Sequence, residues 1–191
     1  MKEKKEINIL TLLDDLPRDR RFDVVLSILT SLQKEIVMLF LEKKIAMSVF
    51  EVRKKLIERW FEMFLEEARK KEHLLTRPVE LFEHLEDLPP VTLFSKSYYP
   101  GEITVRVRLL RAAISTYNKV EPEYRAKGEK GLLELKEKIL KDMGVPIPVY
   151  SKVENELNSL VTTGLLIVIP REKGRAKCLY ALNPKFVQKI P

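Results

Sequence analysis

The chain has 191 residues, 45% of them hydrophobic, which is enough for one sizeable core or two small ones and excludes disorder as the general reading. Its formal charge of +7 favours a polyanionic partner, either nucleic acid or an anionic membrane surface. A single cysteine, Cys178, cannot form an internal disulfide, and no run approaches the roughly eighteen apolar residues of a membrane span. A cytoplasmic protein is expected, neither a secreted scaffold nor a membrane protein.

The charge is unevenly placed. Residues 150–191 hold seven Lys and Arg against three Glu, so +4 of the +7 sits in this C-terminal stretch. Charged residues make up 33% of the chain while glutamine occurs only at positions 33 and 188, a bias of heat-adapted proteins that points to a thermophile.

The first twenty residues begin basic and turn apolar, but Asp14 and Asp15 interrupt the run too early for a signal peptide. An N-terminal arm is expected over 1–20. From Arg21 to Lys44, Phe22, Val25, Leu29, Leu32, Ile36 and Leu39 step by three and four, the period of one long helix. Val24, Leu26, Ile28, Val37 and Phe40 widen its apolar stripe, so this helix must be covered on more than one side, by its own core or by a second subunit.

"SVFE" announces the next helix, with Ser48 and Glu51 as a capping box and Val52, Leu56, Trp60, Phe64 and Leu65 on the inner face. Trp60, Phe61, Met63 and Phe64 are more apolar surface than one face needs, and they read as core or as a partner-binding patch. The two "RKK" runs at 53–55 and 69–71 read as solvated helix faces.

A shorter helix is expected over about 78–88, ending before Pro89 and Pro90, with "SKSYYPG" as a loop and a domain boundary nearby. Next, Ile103, Val107, Leu110, Ile114 and Tyr117 hold a helical spacing, although Val105, Val107 and Leu109 alternate as a strand would. "EPEYRAKGEKG" reads as a polar linker and "LLELKEKILKDMG" as a short helix closed by Gly144.

After "VPIPVY", Ser151 and Glu154 form a second capping-box signature. At 100° per residue, the helix that follows gathers Val153, Leu157, Leu160 and Val161 in one arc and Lys152, Asn155, Asn158, Ser159 and Thr162 opposite them. Gly164 is placed to end it in the left-handed conformation. The strand "LLIVI", the basic stretch "PREKGRAK" and a returning strand "CLYAL" follow, with Cys178, Tyr180 and Leu182 on one inward face.

Short helix, turn, second helix, glycine, strand, basic tip and strand: in this order the C-terminal part, residues 151–182 with 132–144 before them, resembles the winged-helix branch of the helix-turn-helix superfamily. The resemblance implies that the second helix of the pair enters the major groove and that the hairpin, the wing, reaches phosphates or a neighbouring groove. Carried onto this chain, Lys152, Asn155, Asn158, Ser159 and Thr162 face base edges. Arg171, Lys173, Arg175 and Lys177 sit on phosphates or in the minor groove, where charge gives affinity and little sequence information. Gly174 supplies the positive φ of the hairpin tip.

Against this stands a plainer interpretation. Charged tips keep hairpin edges soluble, Glu154 and Glu156 flank the proposed reading face, and winged helices also bind proteins.

The catalytic inventory is thin: there is no glycine-rich phosphate loop, no nucleophile elbow and no Cys/His cluster at metal spacing. His73 and His84 are eleven positions apart, too far for one ion on an unbroken helix. No enzyme, no cofactor and no metal are expected. The expected architecture is mainly α: an arm at 1–20, a helical domain at 21–90 that dimerises, and a winged helix at 101–191 with a small β-hairpin. The expected function is a homodimeric DNA-binding protein on duplex DNA, first of all a transcription regulator. The alternative is a non-enzymatic assembly subunit whose winged helix and helical domain bind other proteins in a replication, chromosome or transcription complex.

Overall fold

The computed structural model describes residues 8–70, 91–93, 96–98, 100–170 and 178–190. As expected, the chain is mainly helical with a small antiparallel hairpin near its C-terminus. None of the described helices is long and apolar enough to cross a membrane. Two compact units interleave along the chain: residues 1–56 with 148–191 make the first, and 57–147 the second. This partition differs from the contiguous 21–90 and 101–191 that the sequence suggests.

The first unit begins with α1 (Ile9–Asp14), α2 (Arg18–Ile28) and α3 (Ser31–Lys43). Ile9 and Leu13 of α1 are buried, so the stretch expected as an arm contributes to a core. The single helix expected over 21–44 is two. Leu29 is extended (φ −83°, ψ 147°), and Thr30 then caps α3: its hydroxyl accepts from the Gln33 N–H at 3.2 Å while Gln33 Oε1 accepts from the Thr30 N–H at 3.0 Å. This capping box starts a new helix while the apolar stripe keeps its phase, which is why the period alone suggests one.

The fourth helix, α4 (Val49–Lys70), starts at the expected box, where Glu51 Oε2 accepts from the Ser48 N–H at 2.7 Å. Its residues to Leu56 belong to the first unit and those from Ile57 to the second. The first unit is completed by α7 (Tyr150–Thr162), β3 (Leu166–Ile169), β4 (Leu179–Leu182) and α8 (Pro184–Lys189).

Long-range hydrogen bonds hold the two ends of the chain in this unit. Met47 and Tyr180 exchange backbone bonds of 2.9 and 2.8 Å beside the β3–β4 hairpin, and the Ile9 N–H donates to Thr163 O at 3.0 Å. Ile36, Phe40, Val52, Leu56, Val153, Leu157, Leu160 and Phe186, all fully buried, share one apolar cluster.

The second unit holds β1 (Val91–Leu93), β2 (Lys96–Tyr98), α5 (Pro100–Ala126) and α6 (Gly128–Asp142). β1 and β2 pair antiparallel, so part of the stretch expected as loop is strand. The expected helix over 78–88, His73 and His84 lie outside the described residues. The expected linker 121–131 is helical on both sides of Lys127: α5 runs through Pro122, and Glu121 pairs with Arg125 one turn on. Gly128 at φ +75° turns the chain, and at Gly131 a Cβ would lie 2.6 Å from the Tyr124 carbonyl oxygen, so only glycine fits.

A second apolar cluster includes Ile57, Phe61, Phe64, Leu135, Ile139 and Leu140. Of the aromatic-rich stretch of α4, Phe61 and Phe64 are core, Trp60 packs at its edge, and Met63 is 51% exposed.

Candidate nucleic-acid interface

Helix α7 is fixed at both ends. At its start, Arg53 Nε donates to the Pro148 carbonyl at 2.9 Å. The N-cap is Val149, extended and without a side-chain cap, so the expected Ser151/Glu154 box is not formed. Tyr150, partly buried against the first cluster, is already the first helical residue, which leaves Ser151 inside the first turn and exposed.

The end is as expected. Gly164 adopts φ +84°, its N–H donates to Val161 O at 3.0 Å, and the Leu165 N–H reaches back to Leu160 O at 3.0 Å, a Schellman closure. Two more bonds clamp this terminus: Asn183 Nδ2 donates to Gly164 O and the Asn183 N–H to Leu165 O, each at 2.9 Å. Helix α6, expected as the partner preceding the reading helix, belongs to the second unit. Within the first cluster α7 shares its core with α3 and α4.

Between these ends α7 shows the expected two faces. Val153, Leu157 and Leu160 are fully buried and Val161 partly so, while Lys152, Asn155, Asn158, Ser159 and Thr162 are all exposed. Asn155 and Thr162 lie at the middle of the exposed arc and the other three at its borders. Each border is tied to a neighbouring element. Gln33 Nε2 on α3 donates to Ser159 Oγ at 3.2 Å, and the Tyr180 hydroxyl on β4 donates to Asn158 Oδ1 at 2.9 Å. Thr162 Oγ1 donates to the Asn158 carbonyl at 3.1 Å.

The two carboxylates near this face differ. Glu156 is buried and pairs with Lys152 at 2.7 Å, so the lysine charge is partly neutralised where it stands. Glu154 is partly buried on the Tyr180 side. Burial, then the Glu154 charge, raises the Tyr180 pKa above the ordinary phenol value, so the hydroxyl keeps its proton and remains a donor.

The hairpin pairs Leu166 with Leu182 through Ile169 with Leu179, and Pro170 to Cys178 connect the strands. Arg171, Lys173, Gly174, Arg175 and Lys177 lie outside the described residues. Cys178 is exposed and precedes β4, whereas the alternation of the sequence pointed it inward; in the strand itself Tyr180 is the buried residue. No group of three or more His, Cys, Asp or Glu among the described residues is arranged to hold a metal ion.

Tyr180 is inward as expected, but the bonds by which Gln33 and Tyr180 orient this surface escaped the sequence reading. Gln33 had a local signal, the Thr-x-x-Gln signature at 30–33. The Tyr180 bond had none, because it spans 22 positions to Asn158. No protein-family model, curated protein or solved structure matches the chain.

Proposed function

We propose that the first unit is a winged helix that binds duplex DNA, with α7 in the major groove and the basic tip of the β3–β4 hairpin on phosphates. One observation carries this reading: Lys152, Asn155, Asn158, Ser159 and Thr162 share a single exposed face of one helix. Hydrogen-bonding side chains dominate that face, and of its two neighbouring carboxylates Glu156 is buried and Glu154 partly buried. Such a face suits base edges, and the four cations at 171–177 add salt-sensitive affinity. Transcription regulation by a homodimer, which sets two α7 helices in successive major grooves, is the use we propose.

Titration of duplex affinity against salt tests it. A log–log slope of several units is expected. The absence of binding at low salt would remove the reading. It would favour a second one, a protein partner, for which the exposure of Val149 (64%), Val168 (39%) and Ile169 (38%) in the same unit speaks.

A further inference from the structure

The exposed face of α7 has a hydrogen-bond polarity, because neighbouring groups already use part of its capacity. The Tyr180 hydroxyl, on a side chain only 5% exposed, donates to Asn158 Oδ1 at 2.9 Å. Oδ1 is thereby turned toward the protein, and the amide nitrogen with its two N–H groups is the end left to solvent. Thr162 spends its only proton on the Asn158 carbonyl, which leaves Oγ1 as an acceptor beside its methyl group.

Ser159 is oriented in turn. The Thr30 backbone N–H can only donate, so Gln33 Oε1 must face it and Nε2 must face Ser159. The Ser159 oxygen therefore accepts, and its proton remains available outward.

Asparagine reads adenine by accepting from N6 and donating to N7 at the same time, which needs both ends of the amide on one base edge. Guanine instead offers O6 and N7, two acceptors side by side, which suit a group presenting only donors. We infer that the Tyr180–Asn158 hydrogen bond makes α7 select a guanine edge at the base pair facing Asn158, with Tyr180 as the positioning residue that sets this choice. The inference rests on the reading of α7 as a DNA-contacting helix.

The test is selection from randomised duplexes by the wild type, Tyr180→Phe and Asn158→Ala, followed by measured affinities for guanine and adenine at each selected position. Salt slopes on mixed-sequence duplex are measured alongside. At the position that loses its preference in Asn158→Ala, the wild type is expected to favour guanine over adenine by about tenfold. Tyr180→Phe, which keeps the buried ring and removes only the hydroxyl, is expected to shift that position toward adenine with its salt slope unchanged.

Adenine preferred there by the wild type, no position sensitive to Asn158→Ala, or an unaltered preference in Tyr180→Phe overturns the inference while DNA binding stands. A wild type without salt-dependent duplex binding overturns the underlying reading, and the inference with it.

Discussion

Helices α6 and α7 are both amphipathic, both end at a glycine with positive φ, and present opposite surfaces. The outer side of α6 interleaves Glu134, Glu137, Lys138 and Lys141, and Lys141 pairs with Glu137 at 2.8 Å. That of α7 offers amides and hydroxyls, with one lysine whose partner Glu156 is buried. A mixed-charge face neutralises its own cations and sets carboxylates against any approaching phosphate. The α7 face carries one cation, Lys152, paired with the buried Glu156, and its exposed middle holds no carboxylate; its side chains are steadied by residues from other elements, Gln33 and Tyr180. Two helices with similar buried stripes can thus have different uses, and the difference is written on the side that packing leaves alone.

The comparison breaks most severely at the buried stripe. Leu157→Ala in α7 and Leu140→Ala in α6, both at fully buried positions, should each cost about 2–5 kcal/mol in denaturant unfolding. Where the folded state persists, only Leu157→Ala should also weaken duplex binding. Equal losses of DNA affinity would erase the distinction between the helices.

Arg175→Ala with Lys177→Ala should come next, lowering affinity and making the salt slope shallower by about two units. An unchanged slope removes the wing assignment. On the helix itself, Asn155→Ala should remove about 1–3 kcal/mol of discrimination at one base pair and leave nonspecific affinity intact, as competition binding would show. Lys138→Ala on α6 should change neither quantity.

The smallest effects concern the caps. Thr30→Ala should cost about 1 kcal/mol of stability, because its hydroxyl caps α3. Ser151→Ala should stay within about 0.5 kcal/mol, because Ser151 is exposed and caps nothing. A larger loss at Ser151 than at Thr30 would contradict the observed start of α7.

What was legible in the sequence was local. The two faces of α7, the box at Ser48 and Glu51, and the closures at Gly144 and Gly164 depend on side chains within one or two turns, and periodicity and capping chemistry record them. The break between α2 and α3 left a signal in Thr30 and Gln33, but Leu29 and Leu32 keep the apolar stripe in phase across it. Polar composition made 121–131 read as a linker, yet Pro122 is accommodated within α5 and the Glu121–Arg125 pair spans the turn. At Ser151 the signature is present, but the helix already starts at Tyr150, so Ser151 lies inside its first turn.

The interleaved units were beyond local reading. Met47 and Tyr180 pair across most of the chain, and no spacing announces it. Of the candidate site, the α7 residues emerged together on one face, while the residues that orient them came from α3 and β4.

The most direct test of the account is to map duplex DNA onto the protein by backbone and side-chain amide NMR shifts during a titration at low salt. Perturbations are expected to concentrate on α7 between Lys152 and Thr162, with the Asn155 and Asn158 side-chain amides among the largest, and on the β3–β4 hairpin. Shifts concentrated on α5 and α6, or no shifts at saturating duplex, would contradict it.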